Sequence, residues 1–303
     1  MMRIAFCFDE KMAQPACVAI SSLLDSKGNQ EHYEIYCICN REAMGIQEQL
    51  SKLVSSRDAL SNLFFLEAPL LYSTGYEVRG ITSTAYLRLM LHRLLPFVDK
   101  IIYSDVDVLF CGSLAELWKT EINNFILAAV KGTSNFSNVW AECMKREYAH
   151  ELEGLAGNYI NSGILFMNLN RIRQINPDEK WHEMAEKRYY YQDQDILNIT
   201  GKGKIFHLPL EYNVAANLTN KDLSRFAKEN IYTHEDCLRA IKNPVIIHYT
   251  GEKPWINRGA HKAELWWKYV DSQSDLRGLF DKKKIKKRRT SGVIGKINRH
   301  LSW

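Results

Sequence analysis

Apolar runs alternating with helix-spaced segments constrain this chain more than any other feature. Ile4 to Phe8, Glu34 to Cys39, Asn62 to Leu66 and Ile101 to Ser104 read as strands. Between them, Ala13 to Leu24, Ala43 to Val54 and Thr84 to Leu95 carry apolar residues at helical spacing, and Pro96 stops the third segment. Strands joined through helices predict an α/β fold with a mostly parallel sheet covered on both faces. Phe125 to Val130 adds a strand, and a looser region runs on to Tyr159. Asn161-Ser162-Gly163 opens a strand that continues from Ile164 to Leu169. Trp181 to Tyr189 reads as a helix, Gln192-Asp193-Gln194-Asp195 leads into another at Ile196, and Val245 to Ile247 is a late strand. No internal repeat or low-complexity linker interrupts the chain before its basic end. The expected organisation is one domain over residues 1–275 and an appendage over 276–303.

Two of these strands stop at an acid, Asp9 and Asp105, and a third stops at His248. In open α/β sheets, ligands gather beyond the carboxyl ends of strands. Asp105 and Asp107 stand two apart between the apolar runs Ile101-Ile102-Tyr103 and Val108-Leu109-Phe110. On a strand, residues two apart share a face, so these carboxylates would repel each other among greasy neighbours. A divalent cation with oxygen ligands that also grips a phosphate would hold them. A bare acidic pair also serves as a solvated turn.

The other candidates carry a plain reading beside the chemical one. His248 is either a satisfied core or turn residue or a third, nitrogen ligand. Two Asp and one His form a mixed set that suits Mn²⁺, with Mg²⁺ as the alternative. Lys253, past Gly251 and before Pro254, is either a surface lysine or a cation that closes on a diphosphate. Asp193-Gln194-Asp195 is either a charge cluster at a helix start or a set of polar groups facing a sugar. Asn161 and Ser162 could be ordinary strand-entry residues, and Arg88 either a surface charge or a clamp on phosphate or sugar.

The chain has 303 residues, 46% of them hydrophobic and 25% charged, which suits a globular domain with a sizeable core. Its seven cysteines are scattered without a Cys-x-x-Cys, which argues against a zinc knuckle or a disulfide frame and for a reducing compartment. The opening apolar run is too short for a secretory signal, and no segment is apolar for the roughly 18 residues that span a bilayer. The net charge of +5 is uneven. Residues 281–303 hold nine Lys or Arg against one Asp, which leaves 31 basic and 34 acidic residues in the rest.

Six segments keep their order along the chain: the first strand ending at Asp9; Thr84-Ala85-Tyr86-Leu87-Arg88-Leu89; Tyr103-Ser104-Asp105-Val106-Asp107-Val108-Leu109; Asn161-Ser162-Gly163-Ile164-Leu165; Tyr191-Gln192-Asp193-Gln194-Asp195-Ile196-Leu197-Asn198; and His248-Tyr249-Thr250-Gly251-Glu252-Lys253-Pro254-Trp255. Together they resemble the family 8 retaining glycosyltransferases of the bacterial lipopolysaccharide galactosyl/glucosyltransferase type. The resemblance implies a GT-A type, Rossmann-like fold, a UDP-hexose donor, and Mn²⁺ held by Asp105, Asp107 and His248. It places Asp9 at the uracil or ribose and the Val106 backbone at the ribose. It places Arg88, Asn161, Asp193 and Gln194 around the donor sugar, and Gly251 and Lys253 at the diphosphate; Ser162, beside Asn161, is a further substrate-binding candidate. The chain departs from the family pattern in three places. Met12 stands where an aromatic often stacks on uracil, Lys131 stands where an acid often follows the strand, and the closing loop is one residue shorter.

The implied reaction is transfer of glucose or galactose with retention, and its catalytic candidates are Gln194, Asp193 and Lys253. Front-face attack is expected, because Gln194 is a poor nucleophile and the family sets Asp193 on sugar hydroxyls. The implied acceptor is a lipopolysaccharide core or other lipid-linked glycan. The run from Lys282 to Arg289, followed by Ile294, Ile297, Leu301 and Trp303, suits the anionic cytoplasmic face of a membrane. A cytoplasmic, peripheral enzyme that does not bind nucleic acid is therefore expected. A glycogenin-like initiator, a non-catalytic sugar-nucleotide-binding module and a basic-tailed nucleic-acid binder are the rival classes.

Overall fold

In a computed structural model, the described residues are 1–72, 75–77, 82–132, 144–280 and 285. The expected strands appear as β1 (Met2–Phe8), β2 (Tyr33–Cys39), β3 (Asn62–Glu67) and β4 (Lys100–Ser104). They are followed by β5 (Val108–Phe110), β6 (Leu127–Lys131), β7 (Ile160–Asn168), β8 (Ile205–His207), β9 (Val214–Ala215) and β10 (Ile246–His248). Seven form one sheet in the order β3-β2-β1-β4-β7-β6-β8. Pairing is parallel except where β7 lies antiparallel to both β4 and β6. A second sheet, β5-β10-β9, sets β10 antiparallel to β5 and parallel to β9.

The strand sequences are apolar almost throughout because both faces of the large sheet are covered. Ile4, Phe6 and Phe8 of β1 pack into one core and Ala5 and Cys7 into the other. In the same way β7 sends Ile164 and Phe166 one way and Leu165 and Met167 the other. The first core is closed by α1 (Ala13–Asp25), by α2 (Gln47–Arg57) and, later in the chain, by Trp266 and Trp267. The second is closed by the 3₁₀ segment Ser83–Met90, Trp181 and the helix that carries Ile196 and Leu197.

Two helical expectations need correction. The segment read as a helix over Ala43 to Val54 is 3₁₀ over Arg41–Ile46 before α2 begins. Thr84 to Leu95 is 3₁₀ over Ser83–Met90 and becomes the short helix α3 only over Leu91–Leu94. Apolar spacing fixes the inward face, but it scarcely separates three residues per turn from 3.6 over one or two turns. The acidic pair also differs from its strand-face reading. Asp105 to Asp107 lie in the bend between β4 and β5, so the bend rather than a pleat brings the two carboxylates together.

The remaining helices are α4 (Ala115–Lys119), α5 (Ala149–Leu152), α6 (Leu169–Ile175), α7 (Asp178–Glu186), α8 (Gln192–Thr200), α9 (Asn220–Lys228), α10 (His234–Lys242) and α11 (Ala263–Ser272). The helix expected at Ile196 already includes Gln192 to Asp195 in its first turn. After α11, Phe280 packs edge-on against Trp266 with ring centroids 4.9 Å apart, and Leu276 is fully buried. The basic run from Lys282 to Arg289, apart from Ile285, lies outside the described residues, as do Ile294 to Trp303.

Candidate functional site

The carboxyl ends of β1 and β4, the start of β7, the first turn of α8 and the end of β10 open on one cleft of about 610 Å³. All ten residues singled out as donor-binding or catalytic line it: Asp9, Arg88, Asp105, Val106, Asn161, Ser162, Asp193, Gln194, Gly251 and Lys253. Asp107 and His248 line it as well.

Asp9 follows β1 and caps the 3₁₀ turn Glu10–Met12, accepting from the amides of Lys11 and Met12. Its other oxygen accepts from Thr82 Oγ1 at 3.2 Å. A carboxylate fixed at both oxygens is a rigid wall for whatever enters beside Met12.

At the centre, Asp105, Asp107 and His248 bring ligand atoms within 4.8 Å of one another. His248 Nε2 lies 3.3 Å from Asp107 and 3.6 Å from Asp105. The ring's other nitrogen, Nδ1, lies 2.9 Å from Asn213 Oδ1, which can only accept. Nδ1 therefore donates to Asn213, which fixes the ring so that Nε2 faces the two carboxylates. Gly163, on β7, leaves room for this cluster. A Cβ there would come 2.2 Å from His248 Cε1 and 2.8 Å from Asp105 Oδ2. Two carboxylates and one imidazole nitrogen match the donor set of a divalent cation that keeps open positions, so the residues present fit such an ion.

Cations flank the acids. Lys253 Nζ donates to Asp107 Oδ2 and to the carbonyl of Tyr249, at 2.5 and 2.6 Å. Burial alone would raise the Asp107 pKa, but the Lys253 ammonium and the His248 ring hold its carboxyl well below the usual range. Arg88 is buried and forks between Asp105 at 2.9 Å and Asp193 at 3.1 Å. It also donates to the Ser162 carbonyl and lies over the Tyr103 ring at 4.5 Å. Tyr103 in turn donates to Asp105.

Burial, with Asp105 nearby, pushes the Asp193 carboxyl up to about 6 against the pull of Arg88. Ser162 Oγ donates to Asp193. Gln194 is held by a network of its own. Its Oε1 accepts from Asn161 Nδ2 and the Ser162 amide, and its Nε2 donates to Tyr159. Asn161 Oδ1 accepts from Asn213, so one chain of hydrogen bonds runs from His248 through Asn213 and Asn161 to Gln194.

Sequence reading missed Asn213, Thr82 and Tyr103, and it gave Gly163 no role. Asn213 lies 35 residues from His248, so no local spacing could have announced the contact. The expected acceptor stretch from Thr133 to Tyr159 falls partly outside the described residues.

A mostly parallel sheet whose strand ends carry an acid–acid–imidazole cluster beside fixed cations defines a GT-A type glycosyltransferase fold. The chain belongs to glycosyl transferase family 8, whose sequence profile matches residues 3–259. It is 32% identical over 270 residues to a provisionally named glycosyltransferase of Haemophilus influenzae, covering 86% of this chain and 74% of that one. It is 24% identical over 300 residues to the lipopolysaccharide 1,2-glucosyltransferase of Escherichia coli K12, covering 93% and 83%. Its fold matches the galactosyltransferase LgtC, solved with donor and acceptor sugar analogues, with a TM-score of 0.73 and 25% identity over 92% of this chain and all of that one. Among the described residues, no helix is long and apolar enough to cross a membrane.

Proposed function

We propose that this family 8 enzyme is a retaining hexosyltransferase that moves glucose or galactose from a UDP-hexose to a lipid-linked glycan such as a lipopolysaccharide core. The observation that carries the reading is the Asp105, Asp107 and His248 cluster with Lys253 beside it at the strand ends. Asp105, Asp107 and His248 Nε2 would hold Mn²⁺ or Mg²⁺. When bound, the ion supplies positive charge that stabilises a leaving diphosphate. Lys253 already sits 2.5 Å from Asp107 and can shift its ammonium to a departing phosphate oxygen, with Gly251 leaving the loop free to follow. Asp9 and Met12 wall the nucleotide end, and the Val106 backbone faces the ribose. Arg88, Asn161, Ser162, Asp193 and Gln194 fix the hexose.

The network around Asp193 and Gln194 supports front-face attack. Gln194 is an amide whose oxygen already accepts two hydrogen bonds. Asp193 accepts from Ser162 and pairs with Arg88, which lowers its nucleophilicity. Both act by orienting the sugar, and the departing phosphate takes the acceptor proton. Trapping with a slow fluorinated donor checks this step. A label on Asp193 would replace front-face attack with a covalent intermediate.

Residues 1–275 carry the chemistry, and residues 276–303 tether it to the anionic cytoplasmic face of a membrane, where a lipid-linked acceptor resides. The test of the activity is UDP release from a panel of UDP-sugars with Mn²⁺, with EDTA, and with Asp107→Asn. Metal-dependent release from one UDP-hexose, abolished in the variant, is expected. No release from any donor, together with no calorimetric binding of UDP and Mn²⁺, would overturn the reading.

A further inference from the structure

At the cleft wall formed by the end of β6, one cation has no ion-pair partner among the described residues. Lys131 is half-buried and lines the cleft. No carboxylate among the described residues lies within ion-pairing distance of its ammonium. Arg88 and Lys253, the other cations that line the cleft, are both ion-paired. Burial pushes the Lys131 pKa down. Partial burial of an ammonium without an anion is unfavourable, so the position favours an anionic ligand.

The position is also built. The β6–β7 ladder shifts register between Ala129 and Lys131, which leaves Lys131 opposite Ile160. Bulges of this kind re-aim a side chain and are enriched beside active sites. The Lys131 amide is pinned by Tyr232 Oη at 2.9 Å, and the same hydroxyl donates to the Leu208 carbonyl at 2.9 Å. Leu218 and Phe226 also line the cleft and offer apolar surface. A cation with apolar surface suits a sugar that bears an anion. The donor hexose is a poor bearer of that charge, because an anion there would face Asp105, Asp107 and Asp193.

We propose that Lys131 is a specificity-determining residue that recognises an anionic group, a phosphate monoester or a carboxylate, on the acceptor sugar. This rests on the hexosyltransferase reading above. The unaltered enzyme, Lys131→Met and Lys131→Arg would be assayed with the preferred UDP-hexose and three matched short oligosaccharide acceptors: neutral, phosphomonoester-bearing and uronate-bearing. The unaltered enzyme should favour one anionic acceptor over the neutral one by roughly tenfold or more in kcat/KM, carried by KM. The two anionic arms identify which group is read. Lys131→Met should bring the ratio to about one, and Lys131→Arg should keep most of it. No preference in the unaltered enzyme, or a preference that survives Lys131→Met, would overturn the inference. So would a preference for a UDP-hexuronate donor that Lys131→Met abolishes, since the anion would then sit on the donor. Absence of metal-dependent UDP release from any donor would instead defeat the transferase reading, and this inference with it.

Discussion

At the scale of single residues, the site depends as much on what is missing as on what is present. Gly163→Ala places a methyl where His248 and Asp105 now stand, while its backbone remains ordinary for alanine. The expected result is a folded protein, unchanged in circular dichroism, whose metal-dependent UDP release falls roughly tenfold to a hundredfold. Gly45→Ala, which would meet nothing within 4 Å, serves as the control. Asn213 acts through His248. Asn213→Leu removes the acceptor that keeps the Nδ1 proton in place, so calorimetric titration with Mn²⁺ should show affinity weakened roughly tenfold to a hundredfold. Asn213→Asp keeps the acceptor oxygen for Nδ1 but loses the amide donor to Asn161, so it should bind Mn²⁺ more tightly than Asn213→Leu does. Asp105 and His248 were legible in the sequence because each closes an apolar run, and Asp107 because it stands two residues past Asp105 before the next run; strand ends are where such sheets bind ligands. Asn213, Thr82 and Tyr103 were not, because each acts through a neighbour that only the fold supplies or through a contact carrying no pattern.

At the scale of elements, β1 to β4, β6, β7 and β10 were read to within a few residues, since continuous apolar runs bounded by polar residues leave little choice, whereas the short β8 and β9 went unread. The 3₁₀ stretches were misread because their hydrogen-bond span leaves no mark in apolar spacing. The helices α9 and α10 went unread, although both carry a start signal in Thr219…Asp222 and Thr233…Asp236, each closing a reciprocal cap. Thr233→Ala should lower stability in urea by about 1 kcal/mol and leave UDP release unaltered. A second tie joins the connection leading into β2 to the one leading into β3. Asp58 accepts from Ser61 Oγ and the Leu60 amide and pairs with His32 at 2.9 Å and Lys27 at 3.5 Å. Burial opposes its ionisation, but these partners outweigh it and hold the carboxyl near 2. A depressed folded-state pKa contributes stability above the unfolded value of about 4 and loses it as pH falls toward 2. Asp58→Asn should therefore be less stable than the parent at pH 7, and the gap between their urea midpoints should narrow steadily from about pH 4 downward. A gap that is constant with pH would mean that the hydrogen-bond geometry matters and the charge does not.

At the scale of the whole molecule, charge is distributed unevenly. Residues 1–280 carry a small net negative charge and hold the cleft, while residues 281–303 carry about eight net positive charges. A mildly acidic body would be repelled by an anionic bilayer, so the basic run must supply the attraction if the acceptor is lipid-linked. Ile285 lies within this run and is buried against the core, so deleting the tail outright would also expose apolar surface. Replacing Lys282, Lys283, Lys284, Lys286, Lys287, Arg288 and Arg289 with glutamine, while keeping Ile285, removes the charge alone. With about 1 kcal/mol per basic residue at such a surface, the parent should float with anionic vesicles at low salt and be released as salt rises. The glutamine variant should stay in the soluble fraction at every salt concentration, with acceptor-independent UDP release retained because the cleft is untouched. Transfer to a vesicle-borne acceptor should fall in step with lost flotation, whereas transfer to a soluble oligosaccharide should not. Equal flotation of the two proteins would assign membrane binding to some other surface and leave the basic run without this role.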